Sequence, residues 1–273
     1  MNLSEDLKGK WALILGGSSG FGLATAKRCA EVGMNVVIVH RDRKGAMEKI
    51  SPEFNIIKEF GTKILIFNCD ALDKTEINKI ISAIKQETTA IHLLLHSIAF
   101  GNLKLIVPSN DEPYLEDEDF ARTIYIMGTS MLTWTQELWK NELLKNGSQI
   151  IGLTSEGAHT AWKGYAAVSA AKCALEAVSR AIAIEYGPYG IRSNILDAGS
   201  TDTPAFRLIP GAKALAQNSL KRIPMGRLTI PDDVAKFVVL LCSSWALWVN
   251  GDIIRVDGGE RVGGLGNPMS ANG

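Results

Sequence analysis

A phenol and an ammonium group stand seven positions apart in the segment YAAVSAAK, at Tyr165 and Lys172. Seven residues of an α-helix turn through about 700°, so the two side chains would lie about 20° apart and roughly 10 Å along the axis. A tyrosine hydroxyl can supply a proton to an oxygen that gains charge, and a nearby cation favours the phenolate. The spacing predicts that both residues face one bound ligand. A helix-start aromatic and a surface lysine are the structural alternative.

Glycines occupy a second segment with chemical potential, LGGSSGFG, at Gly16, Gly20 and Gly22. Without a Cβ atom they let the chain turn sharply and approach a pyrophosphate, whose charge is met by the N-terminus of the following helix. A tight structural turn is the alternative. We predict a dinucleotide site whose contacts also include the remaining residues of the turn, Ser18, Ser19 and Phe21.

The segment His40-Arg41-Asp42-Arg43 follows the second predicted strand. Guanidinium groups suit the 2′-phosphate of NADP because a planar fork can bind a phosphate with two hydrogen bonds. We therefore predict NADP(H), bound through His40, Arg41 and Arg43, with NAD as the alternative because Asp42 could turn toward a ribose. After the third predicted strand, Asp70 and Ala71 are predicted to contact the adenine, with a strand-end cap as the alternative role of Asp70.

Short apolar runs alternate with segments of helical period along the chain and must position these residues. Helical segments such as KTEINKIISAIKQET have apolar residues three and four positions apart. Continuous apolar runs between polar or glycine residues are typical of parallel strands buried on both faces. The pattern predicts an α/β fold with a single doubly wound Rossmann-type domain over residues 1–273 and a seven-stranded parallel sheet covered by helices on both faces. The predicted strands lie in KWALILGG, NVVIVH, TKILIFNCD, IHLLLHSIA, SQIIGLTS, RSNILDAG and DIIRVDGG.

Composition and charge exclude several classes of function. The 273 residues carry 29 basic and 29 acidic side chains, so no surface field of one sign favours nucleic acid or an anionic membrane. The longest apolar run, FVVLLCSSWALWV, is shorter than the roughly 20 residues of a membrane span. The polar N-terminal segment lacks the apolar core of a signal peptide, which predicts a cytoplasmic protein. We expect no metal site, and buried free thiols at the four cysteines, Cys29, Cys69, Cys173 and Cys242.

Two segments interrupt the alternation of strands and helices. Residues 101–120 contain six acidic residues between Asp111 and Asp119, and residues 200–220 follow the sixth predicted strand. Long connections in compact domains are commonly lids or mobile segments. Both segments are therefore predicted to be functional loops.

Several motifs together resemble one family. They are the glycine turn, the Tyr165 and Lys172 pair followed by CALE, the segment EYGPYGIRSNIL and the closing VDGG. From about residue 7 to residue 260 the chain resembles the short-chain dehydrogenase/reductase family. In the commoner members the tyrosine lies four positions before the lysine, where this chain has Val168.

Within that family the chain is most similar to the enoyl-acyl-carrier-protein reductases. These resemble it in the seven-residue spacing of tyrosine and lysine and in the HSI turn at His96-Ser97-Ile98. The position of the catalytic asparagine of ketoreductases holds Tyr125. The C-terminal half looks most like the NADPH-dependent type called enoyl reductase III.

The resemblance implies roles for further residues. Tyr165, Lys172 and Ser155 would be catalytic, although Ser155 could equally cap its strand. Lys172 would also hold the ribose of the cofactor, and the family's usual proline before Gly199 is replaced by Ala198, which leaves the rigidity of that loop open. A homo-oligomer, either tetramer or dimer, is also implied. The remaining implied cofactor contacts are Ser97, Ile98, Ala99, Gly199, Thr201 and Thr203.

The resemblance predicts an NADPH-dependent reductase that reduces the trans-2 double bond of an enoyl thioester, on acyl-carrier protein or coenzyme A, in fatty acid or lipid synthesis. Reduction of a conjugated thioester places charge on an oxygen two bonds from the carbon that receives the hydride, which fits a donor displaced along the helix. A carbonyl oxidoreductase of the same family is one alternative, and a cofactor-binding regulator without turnover is another. His96 is expected to be a packing residue. His159 is expected to be a solvated loop residue, with a place at the mouth of the site as the alternative. Five tryptophans are expected in the core or at subunit contacts, namely Trp134, Trp139, Trp162, Trp245 and Trp248.

Overall fold

One parallel sheet of seven strands organises the protein. The computed structural model describes residues 3–109 and 111–264. All strands pair in parallel in the order β3-β2-β1-β4-β5-β6-β7. The predicted fold class and all seven predicted strands are confirmed, whereas the predicted domain span of 1–273 extends beyond the described residues. The strands are β1 (Trp11–Leu15), β2 (Asn35–His40), β3 (Ile64–Asn68), β4 (Leu93–His96), β5 (Gln149–Thr154), β6 (Arg192–Ala198) and β7 (Ile253–Val256).

Helices cover both faces of the sheet. Two apolar clusters, one on each face, include Ile14 and Ile38 in one and Leu13 and Val37 in the other, as the alternation of side chains along a strand requires. A π-helical turn, Tyr125–Thr129, joins the fifth and sixth helices. The α-helices are α1 (Leu3–Leu7), α2 (Gly20–Glu31), α3 (Met47–Glu59), α4 (Lys74–Glu87), α5 (Asp117–Ile124), α6 (Ser130–Lys140), α7 (Ala166–Tyr186), α8 (Pro204–Arg207), α9 (Ala212–Arg222) and α10 (Pro231–Cys242).

The burial of the strands depends on their place in the sheet. Every residue of the central strands β1, β4 and β5 is buried. The edge strands β3 and β7 contain half-buried and exposed residues, so the prediction that every strand is buried on both faces is wrong there. An edge strand has a neighbour on one side only, which leaves part of its surface uncovered.

The two predicted loops contain helices. The segment 101–120 leads into α5, and the segment 200–220 holds α8 and most of α9. The acidic segment is tied to the protein because Asp119 accepts hydrogen bonds from Lys104 Nζ at 2.6 Å and from the Glu116 amide at 3.4 Å. The prediction that both segments are loops is therefore wrong for these helical parts. Their acidic and basic residues form local pairs and helix starts.

The sheet creates a cleft where its winding reverses. Strands β1 and β4 are neighbours, and the chain continues from them toward opposite edges. In sheets of this type, ligands bind outside the carboxyl ends of the strands at that point. The connections after β1, β4, β5 and β6, which contain most of the predicted site residues, meet at this cleft.

Other sequence expectations have mixed outcomes. Cys29 and Cys242 are buried free thiols, but Cys173 is exposed on α7, so the prediction of burial is wrong for that residue. Among the described residues, no helix is long and apolar enough to cross a membrane. The same part of the chain has no group of three or more His, Cys, Asp or Glu side chains that could hold a metal ion.

Candidate active site

A cavity of about 260 Å³ lies at the carboxyl ends of the strands. Its wall combines residues that follow β4, β5 and β6 with the first turn of α7, as the resemblance implies. The structure thus brings together residues up to about 180 positions apart in the chain. The predicted site residues that line it are Phe21, Ser97, Ile98, Ala99, Ser155, Tyr165, Lys172, Gly199, Thr201 and Thr203.

Tyr165 precedes the helix instead of forming its first turn. It is the N-cap of α7, with φ of −110° and ψ of 4°, and its carbonyl accepts the first helical hydrogen bond, from the Ser169 amide at 2.8 Å. The preceding Gly164 has a left-handed φ of +74° that favours glycine. The prediction that Tyr165 and Lys172 lie about 20° apart on one helix is therefore wrong, because the ideal helix does not extend back to Tyr165. Both residues nevertheless line the same cavity.

An aromatic neighbour and a glycine hold the Tyr165 ring in place. The ring of Trp162 packs edge-on against it with centroids 5.0 Å apart. A Cβ atom at Gly157 would lie 2.3 Å from Cε1 of Tyr165 and 2.9 Å from the Trp162 ring, so glycine is required there. The sequence analysis missed Gly157 and assigned Trp162 to the core or a subunit contact. Trp162 instead lines the cavity.

Burial disfavours the charged forms of both central residues and therefore shifts their pKa values in opposite directions. It raises the pKa of the Tyr165 phenol, and the Ser155 hydroxyl acts in the opposite direction and more weakly. Contrary to expectation, the Lys172 ammonium does not contribute to the shift in the pKa of this phenol. Burial lowers the pKa of Lys172 to about 8, against an opposing effect of the Glu176 carboxylate. The Lys172 ammonium donates a hydrogen bond to the carbonyl of Leu153 at 2.8 Å.

Ser155 has an unpaired hydroxyl beside this pair. Its Oγ atom is buried and makes no hydrogen bond of standard geometry with the described residues, although it is near enough to Tyr165 to affect its pKa. Ser155 is also the N-cap of the short 3₁₀ helix Glu156–Ala158, but its side chain makes no capping hydrogen bond. The hydroxyl is therefore available to a ligand in the cavity.

An apolar wall occupies the position where the commoner family members have their tyrosine. Val168 lines the cavity together with Met127 and Gly101. A Cβ atom at Gly101 would lie 2.5 Å from the Val168 side chain, so these residues are in close contact. Tyr125 is exposed to 41% in the π-helical turn and is not part of the wall.

The glycine turn has the shape that close approach of a ligand requires. Gly16 has φ of +85°, and a Cβ atom there would lie 2.4 Å from the Ser97 carbonyl oxygen. A Cβ atom at Gly22 would lie 2.2 Å from the Gly16 carbonyl oxygen. Ser19 is the N-cap of α2 and its side chain makes no capping hydrogen bond, so the amides that begin this helix are not capped by it. This turn fits the pyrophosphate of a dinucleotide.

The predicted adenosine end lies at the ends of β2 and β3. Arg41 pairs with Asp70 at 2.6 Å and lies over the Phe100 ring, 5.3 Å from its centroid. Asp70 Oδ1 accepts from the Leu72 amide at 3.0 Å, so the strand-end cap is present as well. Asp42 is turned toward His40, whose Nδ1 lies 2.8 Å from Asp42 Oδ2. Five predicted contacts here do not line the cavity, namely His40, Arg41, Arg43, Asp70 and Ala71.

Hydrogen bonds hold the loop after β6 although Ala198 replaces a proline. The Gly199 amide donates to the Val256 carbonyl at 3.1 Å, and the Ser200 amide donates to Glu260 Oε2 at 2.7 Å. Thr201 Oγ1 donates to the carbonyl of Gly199 at 2.8 Å. The loop is therefore fixed by its own contacts and by Glu260.

An ionic network that the sequence analysis missed joins α9 to the cavity wall. Arg222 donates to the two carboxylate oxygens of Glu156 at 2.8 and 2.6 Å and to Glu260 at 3.0 Å. Arg222 holds the pKa of Glu156 below its usual range, whereas burial raises the pKa of Asp197 in the same wall. No local pattern indicates these pairs because Arg222 and Glu156 are 66 positions apart.

The remaining candidates lie outside the cavity wall. His96 is buried as expected, and its Nε2 lies 2.8 Å from Ser130 Oγ. His159 is about half exposed but pairs with Glu176, so it is more than a solvated residue. Trp134 is in the core, whereas Trp245 and Trp248 are exposed.

Comparison with known proteins agrees with this geometry. A family model described as Enoyl-(Acyl carrier protein) reductase matches residues 16–260. A probable 2,4-dienoyl-CoA reductase of Bacillus subtilis is 29% identical over 92% of this chain and 96% of its own length. The 2,5-dichloro-2,5-cyclohexadiene-1,4-diol dehydrogenase LinX of Sphingobium indicum is 30% identical over 96% of this chain and 100% of its own.

A solved structure is similar over almost the whole chain. The crystal structure of the enoyl-[acyl-carrier-protein] reductase (NADH) from Aquifex aeolicus has a TM-score of 0.82 and 27% identity, and the match covers 96% of this chain and 99% of that one. The similar proteins are oxidoreductases that act on different substrates. The protein is therefore an oxidoreductase of the short-chain dehydrogenase/reductase family, whose members bind NAD or NADP, and it matches the family model described as Enoyl-(Acyl carrier protein) reductase.

Proposed function

We propose that the protein reduces the trans-2 double bond of an enoyl thioester with NADPH. The observation that carries this proposal is that Tyr165 and Val168 both line the wall of the same cavity. At the position four residues before Lys172, where carbonyl reductases of the family have their proton donor, this chain has an apolar side chain. The hydroxyl that remains, on Tyr165, is displaced from that position.

The residues of the chain have distinct roles in this proposal. When bound, the nicotinamide cofactor would supply the hydride for Cβ of the substrate, and protonation of Cα, with solvent as the proton source, would complete the reduction. Tyr165 donates a hydrogen bond to the thioester oxygen, which gains negative charge, and a preorganised donor there lowers the barrier. Lys172 binds and orients the cofactor ribose. The unpaired hydroxyl of Ser155 contributes a second hydrogen bond to the same substrate group.

The cavity offers an apolar surface to the acyl chain. Residues of α8 and the loops after β4 and α8 form this side of the wall, which buries hydrocarbon favourably. The acidic segment 111–119 is tied to the loop after β4 by the hydrogen bond of the Leu115 amide to the Leu105 carbonyl at 2.9 Å. Its charge would repel an acidic carrier protein there, so the substrate of this proposal is carried by coenzyme A or by an acyl-carrier protein that docks elsewhere on Lys and Arg side chains. The apolar lining residues are Phe100, Leu103, Phe206, Leu208 and Ile209.

Exposed guanidinium groups support NADPH as the reductant. Arg41 and Arg43 lie at the end of β2 and are exposed, whereas the carboxylate of Asp42 is turned toward His40. The similar reductase from Aquifex aeolicus is named for NADH, so NADH is the competing cofactor of the test. A role in fatty acid or lipid synthesis, a cytoplasmic location and a homo-oligomeric state belong to the same proposal.

The test compares two thioesters under the same conditions. NADPH oxidation is followed with crotonyl coenzyme A and with acetoacetyl coenzyme A, for the native protein and for Tyr165→Phe. We expect turnover of the enoyl substrate and a loss of at least about 100-fold in the variant. Turnover of the acetoacetyl substrate alone, or an unchanged rate in Tyr165→Phe, would overturn the proposal.

A carbonyl oxidoreductase is the second candidate, because the Ser155 hydroxyl lies beside Tyr165 where the family has its substrate-polarising serine. The similarity to LinX, a diol dehydrogenase, favours the same alternative. Ser155→Ala distinguishes the two functions. The change would abolish turnover of a carbonyl substrate, whereas enoyl reduction would fall by about tenfold, as expected for one of two hydrogen bonds.

A further inference from the structure

A buried carboxylate that no proposed step uses lies behind the catalytic lysine. Glu176 is on α7, four positions and thus one turn after Lys172, so the two side chains share a face of the helix. Glu176 is exposed to only 3% and does not line the cavity. A buried carboxylate is unfavourable unless partners compensate for its lost hydration.

Two other elements fix this carboxylate. Thr154 Oγ1, at the end of β5, donates a hydrogen bond to Glu176 Oε1 at 2.7 Å. His159, which follows the short 3₁₀ helix, places Nε2 3.1 Å from Glu176 Oε2. Each oxygen therefore has its own partner, and the side chain is held between a strand, a loop and its own helix.

The same strand end also holds the lysine. Leu153, which precedes Thr154, accepts the hydrogen bond of the Lys172 ammonium through its carbonyl at 2.8 Å. Two consecutive residues of β5 thus position Lys172 and Glu176 together. A shift of this strand end would move both charged groups.

Few charged groups surround this pair. From β4, His96 is buried and kept neutral, since burial lowers its pKa to about 3 with a smaller contribution from Lys172. From β6, Asp197 lies close enough to Glu176 for the two charges to interact. The 3₁₀ helix Glu156–Ala158 also packs on α7, and its Glu156 pairs with Arg222. The π-helical turn Tyr125–Thr129, which packs on α7 as well, carries no charged side chain. In the neighbouring helices α5 and α6, Asp119 pairs with Lys104 and Glu137 pairs with Lys140.

We propose that Glu176, fixed by Thr154 and His159, is a positioning residue that keeps Lys172 protonated and oriented toward the cofactor. This inference rests on the proposed role of Lys172 in cofactor binding. Burial alone disfavours an ammonium group, and a fixed negative charge one helical turn away opposes that effect. Replacement of the carboxylate by an amide removes the charge with little change of shape.

The experiment measures NADPH binding by fluorescence between pH 6 and pH 10. In the native protein we expect affinity to fall as the pH rises through about 8, where Lys172 loses its proton. In Glu176→Gln this fall in affinity shifts to lower pH by about one unit. In Glu176→Asp the shift is smaller, because that variant keeps the negative charge. The matched control is Glu185→Gln, the same change at an exposed position of α7, which leaves the profile unchanged.

Two further variants keep the outcomes distinct. Thr154→Val removes the hydroxyl that holds Glu176 and gives a smaller shift in the same direction, which tests the inference if Glu176→Gln fails to fold. A Glu176→Gln profile that overlays the control overturns the inference, while loss of binding in Lys172→Met leaves the proposed function standing. Unchanged NADPH binding in Lys172→Met overturns the proposed role of Lys172 and this inference with it.

Discussion

The two ends of the cleft hold their charged residues in different ways. At the predicted nucleotide end, the Arg41 and Asp70 side chains are exposed to 51% and 41% and form a pair that water can replace. At the proposed catalytic end, Lys172 and Glu176 are buried to more than nine tenths. An exposed ion pair adds little to the stability of the fold. A buried charge is costly, so a change in its protonation with pH changes the stability of the fold as well as the function of the site.

Removal of the buried lysine gives the largest expected effect. Lys172→Met should reduce turnover by at least about 100-fold and remove the part of the pH dependence of unfolding that comes from the buried ammonium group. Burial lowers the pKa of Lys172 to about 8, below its usual 10.5. The cost of burying the ammonium group is therefore full below pH 8 and is lost as the pH rises through 10.5. Urea unfolding at pH 7 and pH 10 measures this difference.

The control for this prediction is Lys213→Met, at an exposed position of α9. That variant should change neither turnover nor the pH dependence of unfolding. A Lys172→Met protein whose unfolding free energy rises between pH 7 and pH 10 as much as that of the native protein would contradict the assignment to Lys172.

Acid should act on the catalytic end through His96. Its pKa is about 3 in the fold and 6.5 when unfolded, so the unfolded state binds more protons between these values and stability falls as the pH drops from 6.5 to 3. This residue accounts for on the order of 4 kcal/mol of the loss. His96→Gln should remove that part, which urea midpoints at pH 7 and pH 4 measure. Equal losses in both proteins would contradict the assignment.

The nucleotide end should respond more weakly and without a change in stability. Arg41→Ala should weaken NADPH binding by about tenfold and leave NADH binding unchanged, because it removes a charge-assisted contact to the 2′-phosphate. Asp70→Asn frees Arg41 from its pair and should strengthen NADPH binding by at most about threefold. Titration of both cofactors by fluorescence measures these constants, with Arg180→Ala as a control on exposed charge. Equal weakening for both cofactors would argue against NADPH selection by Arg41.

The local pattern of the sequence predicted the strands and the glycine turn, and it placed the apolar Val168 four positions before Lys172. Each depends on residues close together in the chain, and a glycine turn is recognisable because only glycine tolerates its backbone geometry. The position of Tyr165 outside the helix was not predictable from the spacing, since helical period does not show where a helix begins. Trp162 and Gly157 were missed for a related reason, because their contact with Tyr165 depends on a loop of irregular shape.

The sequence by itself determined the fold class, the family and the types of residue available for chemistry. Only the tertiary structure decided which of those residues share a cavity, that Arg222 joins Glu156 and Glu260, and that Glu176 lies buried behind Lys172. The physical reason is the separation along the chain of the residues that each kind of interaction joins. Backbone preferences and hydrophobic periodicity act over a few residues, whereas burial and charge pairing depend on distances in space between segments far apart in the chain.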